Sequence, residues 1–386
     1  MNHLKEYFLL DPSVIFLNHG SFGATPKPVF ESYQRWQLEL ERQPVEFLGR
    51  RHSGLMQASR AALAAFVGTS ENNVVYVTNV TVGLNIIARS LEIGPGDEVL
   101  TTNHEYVAMD RTWRFLAKEK GFTYKSYPVS MPLPTADEFV ENLWKNVTPQ
   151  TRVIFMSQIT SPTAIIFPIA EVCARARAEG ILTVIDGAHV AGQIPLSLDA
   201  LGVDFWSGNL HKWLMAPKGA GFLYARPEVQ HLLKPLVVSW GYEAEVPGPS
   251  HFIDYNEWIG TRDSAAFLAV PDAIQFQKEH DWENVQEECF KLAEYAQEII
   301  CELTGLSSLH IPGAATFRQV LAIQLPVNTD VVTLKTRLYD NYRIEVPVFA
   351  WNEKKLVRVS VQGYNSKDDI DALQAALKVL LPQTIC

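Results

Sequence analysis

The chain has 386 residues, 47% of them hydrophobic and 20% charged, with a formal net charge of −10 at pH 7. That size and apolar content suit one large globular domain with a smaller one beside it. The acidic balance, with no basic run or basic–aromatic alternation, argues against nucleic acid or an anionic membrane as partner.

In chain order, residues 29–48 and the Ala-rich 55–67 read as helices. Residues 73–78 form the first strand. The helix after it, 82–91, stops at the breaker Gly94-Pro95-Gly96. Strands at 98–102, 123–128, 153–157 and 182–186 then alternate with helices at 109–120, 137–146 and 169–179. A short run delivers Ser207 to Trp213, 219–224 is a further strand, and 266–276 a helix. Strands alternating with helices of ten or more residues imply βαβ units and a mostly parallel sheet. From about His280 the pattern becomes α+β. An amphipathic helix (282–303) precedes strands at 319–325 and 356–361 and a closing helix at 368–381. We therefore expect an α/β fold with a large domain over 16–278 and a small one built from 1–15 and 279–386.

The first thirteen residues lack a basic region followed by a long apolar core, and no apolar stretch reaches membrane-span length, so neither a secretory signal nor a transmembrane helix is expected. Cys173, Cys289, Cys301 and Cys386 are scattered, with no CxxC pair and no zinc spacing. They read as reduced thiols of a cytoplasmic protein with no metal site.

Open α/β sheets bind ligands beyond the C-terminal ends of their strands, so the residues there are the candidates. Asn79-Val80-Thr81-Val82-Gly83 offers helix N-terminal amides and a hydroxyl, either a phosphate seat or an ordinary cap. In Asn103-His104-Glu105-Tyr106 the tyrosine could stack on a planar ring or merely pack. The loop Gln158 to Thr163 could donate to a phenolic oxygen. Asp186 ends an apolar run and must meet water, a donor or a cation. His189, three residues on, faces the same ligand or is structural. Lys212 follows His211 and lies between Trp206 and Trp213. A desolvated amine loses its proton readily and suits Schiff-base chemistry, whereas a snorkelling lysine is the alternative. A carboxylate for a ring nitrogen and an amine for an aldehyde together fit a pyridinium cofactor. Gly260-Thr261 could present an amide and a hydroxyl to a phosphate across a dimer interface, or cap the helix that follows. Arg358 shares a strand face with Ser360, opposite Val357, Val359 and Val361. It is placed to grip a carboxylate bidentately or to meet solvent.

The set Asn79-Val80-Thr81, His104-Glu105-Tyr106, Asp186-Gly187-Ala188-His189, His211-Lys212, Gly260-Thr261 and Arg358 resembles the landmarks of class V aminotransferase-family enzymes, pyridoxal 5'-phosphate (PLP) proteins of fold type I. The phrases Leu17-Asn18-His19-Gly20-Ser21-Phe22-Gly23, Thr160-Ser161-Pro162-Thr163-Ala164 and His211-Lys212-Trp213 are similar to the isopenicillin N epimerase-like branch. The resemblance implies a mostly parallel seven-stranded sheet in the large domain. It makes Lys212 the lysine that holds the cofactor and moves the α-proton. Asp186 would keep the pyridine nitrogen protonated, His189 would sit beside the ring and its phenolic oxygen, and Tyr106 would stack on it. Val80, Thr81, His211 and either Asn209 or Ser207 would hold the phosphate. Thr261 would reach the neighbouring subunit's phosphate, which requires a homodimer with active sites at its interface. Arg358 would bind the α-carboxylate, and Asn18 and His19 would border the substrate pocket.

Aromatics from 18–22, 240–256 and 346–351 (Phe22, Trp240, Tyr242, Phe252, Phe349 and Trp351) would give an apolar or bulky side-chain site. The expected outcome is epimerisation at the α-carbon of an amino acid or peptide-like substrate, with C–S or other β-elimination and transamination as alternatives. No second-face proton donor is visible. Cysteine desulfurases of the class carry a nucleophilic Cys shortly before the carboxylate-binding Arg. Residues 346–352 hold none, and Cys301 falls on a predicted helix, so persulfide formation is not expected. A non-enzymatic scaffold would require Lys212 to carry no cofactor.

Overall fold

The structure is a computed structural model that describes residues 4–310 and 316–384. Seven strands form the central sheet: β2 (Val74–Val77), β3 (Glu98–Thr102), β4 (Thr123–Tyr127), β5 (Thr151–Ser157), β6 (Leu182–Asp186), β7 (Phe205–Asn209) and β8 (Gly221–Ala225). Their order is β2-β8-β7-β6-β5-β3-β4, and only β8 runs antiparallel to its neighbours. Strands β2, β3, β7 and β8 are buried at every position. Their near-continuous apolar character is that of a sheet covered on both faces, and two large hydrophobic clusters fill those faces.

Differences from the sequence-based elements have local causes. The helix expected over 29–48 stops at Arg42, because Pro44 cannot donate to the turn before it. A π-helical turn, Phe47–Arg51, then leads into His52–Val67. The helix after β2 begins at Val80, two residues earlier than its apolar pattern implies. Asn79 caps it, its side-chain oxygen accepting from the Val82 amide at 3.0 Å. The expected helix 266–276 is two pieces, Ala265–Leu268 and Val270–Glu279, the second with a proline in its first turn.

Beyond the long helix Trp282–Thr304 lies a second, antiparallel sheet of order β11-β12-β9. It is made of β9 (Val320–Leu325), β11 (Val348–Trp351) and β12 (Lys354–Ser360). A parallel pair, β1 (Ile15–Phe16) with β10 (Ile344–Glu345), ties the N-terminal segment to this part. The Ser360 amide donates to the Leu17 carbonyl. The C-terminal end of β12 therefore lies against residues 17–22, beside the end of the large sheet where the loops after β5, β6 and β7 converge.

Candidate active site

A cavity of about 370 Å³ opens at this junction. Lys212, from the turn between β7 and β8, enters it. Its Nζ lies 3.1 Å from Nε2 of His189. The other ring nitrogen, Nδ1, accepts the indole N–H of Trp213 at 3.2 Å. An indole can only donate, so Nδ1 carries no proton and the neutral imidazole holds its hydrogen on Nε2. That hydrogen needs a lone pair to point at, and only the unprotonated amine has one. The electrostatics agree. Burial, then the Arg358 charge, lowers the Lys212 pKa to about 7 despite the opposing pull of Asp186. His189 is driven well below the ordinary histidine range, first by burial and then by the proximity of Lys212 and Arg358, so a charge on the ring is disfavoured. The site thus holds a neutral imidazole and an amine free to attack a carbonyl near neutral pH.

Asp186 ends β6 on the cavity wall, 2% exposed. Oδ1 accepts the Ala188 amide at 2.9 Å, while Oδ2 is buried with no partner. Burial pushes the carboxyl up to about 6, against the pull of that amide and of Lys212. A buried orphan acceptor at a ligand cavity calls for a donor, ideally a cationic one. The protonated nitrogen of a pyridine ring fits it.

The opposite end suits a phosphate. Val80 and Thr81 open the helix Val80–Ser90 and line the cavity with Asn209 and His211. The positive end of the helix dipole favours an anion there. Asn209 and Ser207 are placed differently. Ser207 Oγ donates to the Phe222 carbonyl at 2.8 Å and sits under Gly83, where any Cβ would strike it. Asn209 reaches the cavity and fixes the helix start, its Oδ1 accepting from the Val80 amide at 3.0 Å. His211 is held by the Ala220 carbonyl and depressed to about 4, chiefly by burial, so it faces this end as a neutral ring.

Arg358, on β12, is 7% exposed and projects into the cavity. It is not on a solvated strand face. Nη1 donates to the Ser161 carbonyl at 2.6 Å and Nη2 to Ser21 Oγ at 3.2 Å, while Nε is buried without a partner. Burial lowers even this group to about 10, partly offset by nearby Tyr106. Tyr106 lines the mouth, 44% exposed.

Several expected site residues lie elsewhere. His19 is fully buried behind the lysine, its Nε2 donating to the Lys212 carbonyl and its Nδ1 accepting from Tyr364, both at 2.9 Å. Asn18 donates to Glu345 and accepts from Ser21. Neither borders the cavity. The turn after them presents Gly20, Ser21 and Phe22 instead. Of the expected aromatics only Phe22 lines it. Phe252 is core, Phe349 and Trp351 pack with a small cluster under β11, and Trp240 and Tyr242 are exposed. Gln158 is engaged by Trp206, whose indole donates to its Oε1 at 3.0 Å. Thr261, expected at the neighbouring subunit's phosphate and not in its own chain's cavity, is exposed and outside this cavity. Ser21 and Ser161, within segments the sequence marked, line the wall, as does Ser157, which the sequence did not single out because a serine at a strand end carries no distinguishing pattern.

A profile of the aminotransferase class-V family matches residues 17–373. The chain belongs to this class-V family. It is 34% identical over 388 residues, covering 97% of each chain, to an isopenicillin N epimerase of Amycolatopsis lactamdurans. It is 24% identical over 385 residues, 98% of this chain and 97% of the relative, to a hercynylcysteine sulfoxide lyase of Schizosaccharomyces pombe. Among solved structures it shares the fold of C-DES with glycine covalently linked to the PLP cofactor. That match has a TM-score of 0.84 at 22% identity and covers 95% of this chain and 97% of that one. As a class-V enzyme this chain has no cysteine nucleophile in the segment before Arg358: residues 348–351 form strand β11, paired to the arginine's own strand. Cys301 lies on the helix Trp282–Thr304.

Proposed function

We propose that the chain binds PLP and inverts the α-carbon of an amino acid or peptide-like substrate, as an isopenicillin N epimerase-like enzyme. One observation carries the reading: a neutral amine (Lys212), an unpartnered buried carboxylate oxygen (Asp186) and a buried guanidinium (Arg358) share one cavity. Asp186 would hold the ring nitrogen. Val80, Thr81, Asn209 and His211 would hold the phosphate, with Tyr106 and His189 beside the ring. When bound, the cofactor supplies an electron sink for the pair left as the α-C–H bond breaks.

The remaining tasks fall to the chain. Arg358, oriented by Ser161 and Ser21, would bind the substrate carboxylate with N–H groups these contacts leave over or release. Lys212 Nζ takes the α-proton from one face, as its lowered pKa permits near neutral pH, and inversion is completed by a proton returned to the opposite face from water in the open cavity. His189 Nε2–H steadies the amine lone pair beforehand. Thr261, exposed and outside the cavity, would complete the phosphate seat of a second copy in a homodimer. The small-molecule substrate enters past Phe22 and Tyr106. With its cysteines reduced, the enzyme would work in the cytoplasm.

The similarity to a sulfoxide lyase supports a second reading, C–S elimination from the same carbanion. Purified protein incubated with an amino-acid panel in deuterated water separates the two. Loss of chirality with deuterium at the α-carbon and no keto acid is expected. Release of a keto acid with a sulfur product would replace epimerisation by elimination. Conversion of the cofactor to its amine form would indicate transamination. A protein that stays colourless with added PLP would end all three readings.

A further inference from the structure

Behind Asp186 lies a second buried carboxylate, Glu105, that none of the roles above uses. It sits between β3 and the helix Val107–Lys120, 8% exposed. Oε1 accepts Thr102 Oγ1 at 2.6 Å, and Oε2 accepts both the amide and the hydroxyl of Ser157, at 2.8 and 2.7 Å. Ser157 pairs directly with Asp186 across β5 and β6 and lines the cavity. Glu105 therefore has three donors and a place just before a helix N-terminus, both of which favour the ionised form. Among the described residues no cation interacts with it.

The groups facing this pair are few. Tyr124, itself near Asp110, and Asp186 act on Glu105, and Lys212 acts on Asp186. Two adjacent buried carboxylates with so little positive charge between them cannot both ionise cheaply. Burial and the Asp186 charge push Glu105 up to about 8 in the chain alone. A cation seated against Asp186 Oδ2 offsets the Asp186 charge and favours the ionised Glu105 that its three donors already hold.

We propose that Glu105 is a positioning residue for the cofactor. It stays ionised when the ring is bound, anchors Ser157, and adds a second negative charge behind the seat of the ring nitrogen. The proposal rests on the PLP reading above. Its consequence is electrostatic: the charge of Glu105 stabilises the protonated state of the bound chromophore. A unit charge removed at this range changes proton affinity by on the order of tenfold, about one pH unit.

The test is the pH titration of the visible absorbance of the PLP-loaded protein. Glu105→Gln keeps the shape, and its amide can donate to Thr102 Oγ1. Its midpoint is expected to fall by about one unit, while Glu105→Asp, which keeps the charge, stays near wild type. A fully loaded Glu105→Gln protein with an unchanged midpoint overturns the proposal and leaves the cofactor reading intact. Wild-type protein with no visible band on adding PLP overturns both. Should Glu105→Gln not fold, wild-type holoenzyme with carbon-13 in its glutamate carboxyls is read by infrared spectroscopy. No protonated glutamate band is expected at neutral pH, and a persistent one overturns the proposal.

Discussion

Lys212 and His189 meet at 3.1 Å in a bond whose direction is fixed by a third residue, Trp213. Because the indole occupies Nδ1 as a donor, the imidazole must give its Nε2 hydrogen to the amine. The lysine is then most stable unprotonated, consistent with a pKa lowered to about 7. A lowered pKa means that the amine is free above that value and protonated below it. In the cofactor-free protein, Lys212 should therefore react with a small aldehyde under reducing conditions half-maximally near pH 7, with reactivity rising as pH rises. Exposed lysines should require pH near 10. Peptide mapping by mass spectrometry at several pH values reads this directly. A Lys212 profile matching that of exposed lysines would refute the assigned tautomer and charge.

Trp213→Phe removes that donor and keeps most of the ring volume. His189 can then turn Nε2 into an acceptor, and the lysine can donate as an ammonium. The Lys212 midpoint should move up, toward the ordinary lysine range. Folding should persist with a modest loss, about 1–3 kcal/mol for a lost buried hydrogen bond and incomplete packing. Thermal unfolding and the same aldehyde profile together separate this from simple destabilisation, which would lower Tm and leave the midpoint unmoved.

The central pair of the site was legible because burial and charge conflict visibly in sequence. Asp186 closes an apolar run and Lys212 stands between two tryptophans. Its partners were less legible. The Trp213 bond to His189 spans 24 residues and depends on how the loops after β6 and β7 face each other. Resemblance marked Asn18 and His19 but not their direction, and the short helix His19–Phe22 turns His19 under the lysine backbone. Glu105 stands in the marked segment His104-Glu105-Tyr106 but was given no role there, and only the fold places it beside Ser157 and Asp186. Among the elements, the helix Val331–Tyr342 escaped notice because just Leu334 and Leu338 of its twelve residues are buried and its first turn is β-branched.

Gly187, between Asp186 and His189, is fixed by packing. A Cβ there would collide with the Trp206 indole, which also closes against Gly208. Trp206 is fully buried and bonded to Gln158, so it cannot yield cheaply. Gly187→Ala should cost about 1–3 kcal/mol by overpacking and displace Asp186 from the cavity wall. Denaturant unfolding would show the lower stability. Weaker PLP retention on dialysis would show the displaced carboxylate. A variant equal to wild type on both counts would mean that the indole moves freely.

Arg358 acts on two quantities that substitutions can separate. Its charge depresses Lys212, and its planar fork grips a carboxylate. Arg358→Lys keeps the charge and loses the fork. The Lys212 midpoint should stay near 7 while kcat/KM falls about a hundredfold, equivalent to about 3 kcal/mol. Arg358→Gln removes both. It should lose at least as much activity and also raise the Lys212 midpoint, because the repulsion that favoured the neutral amine is gone. Both variants should still take up PLP, since Arg358 is assigned no part in holding it. Activity on a matched amino acid and amine, with and without the carboxylate, locates the loss. If Arg358→Lys weakens turnover of the carboxylate-free amine equally, the guanidinium is not the carboxylate clamp.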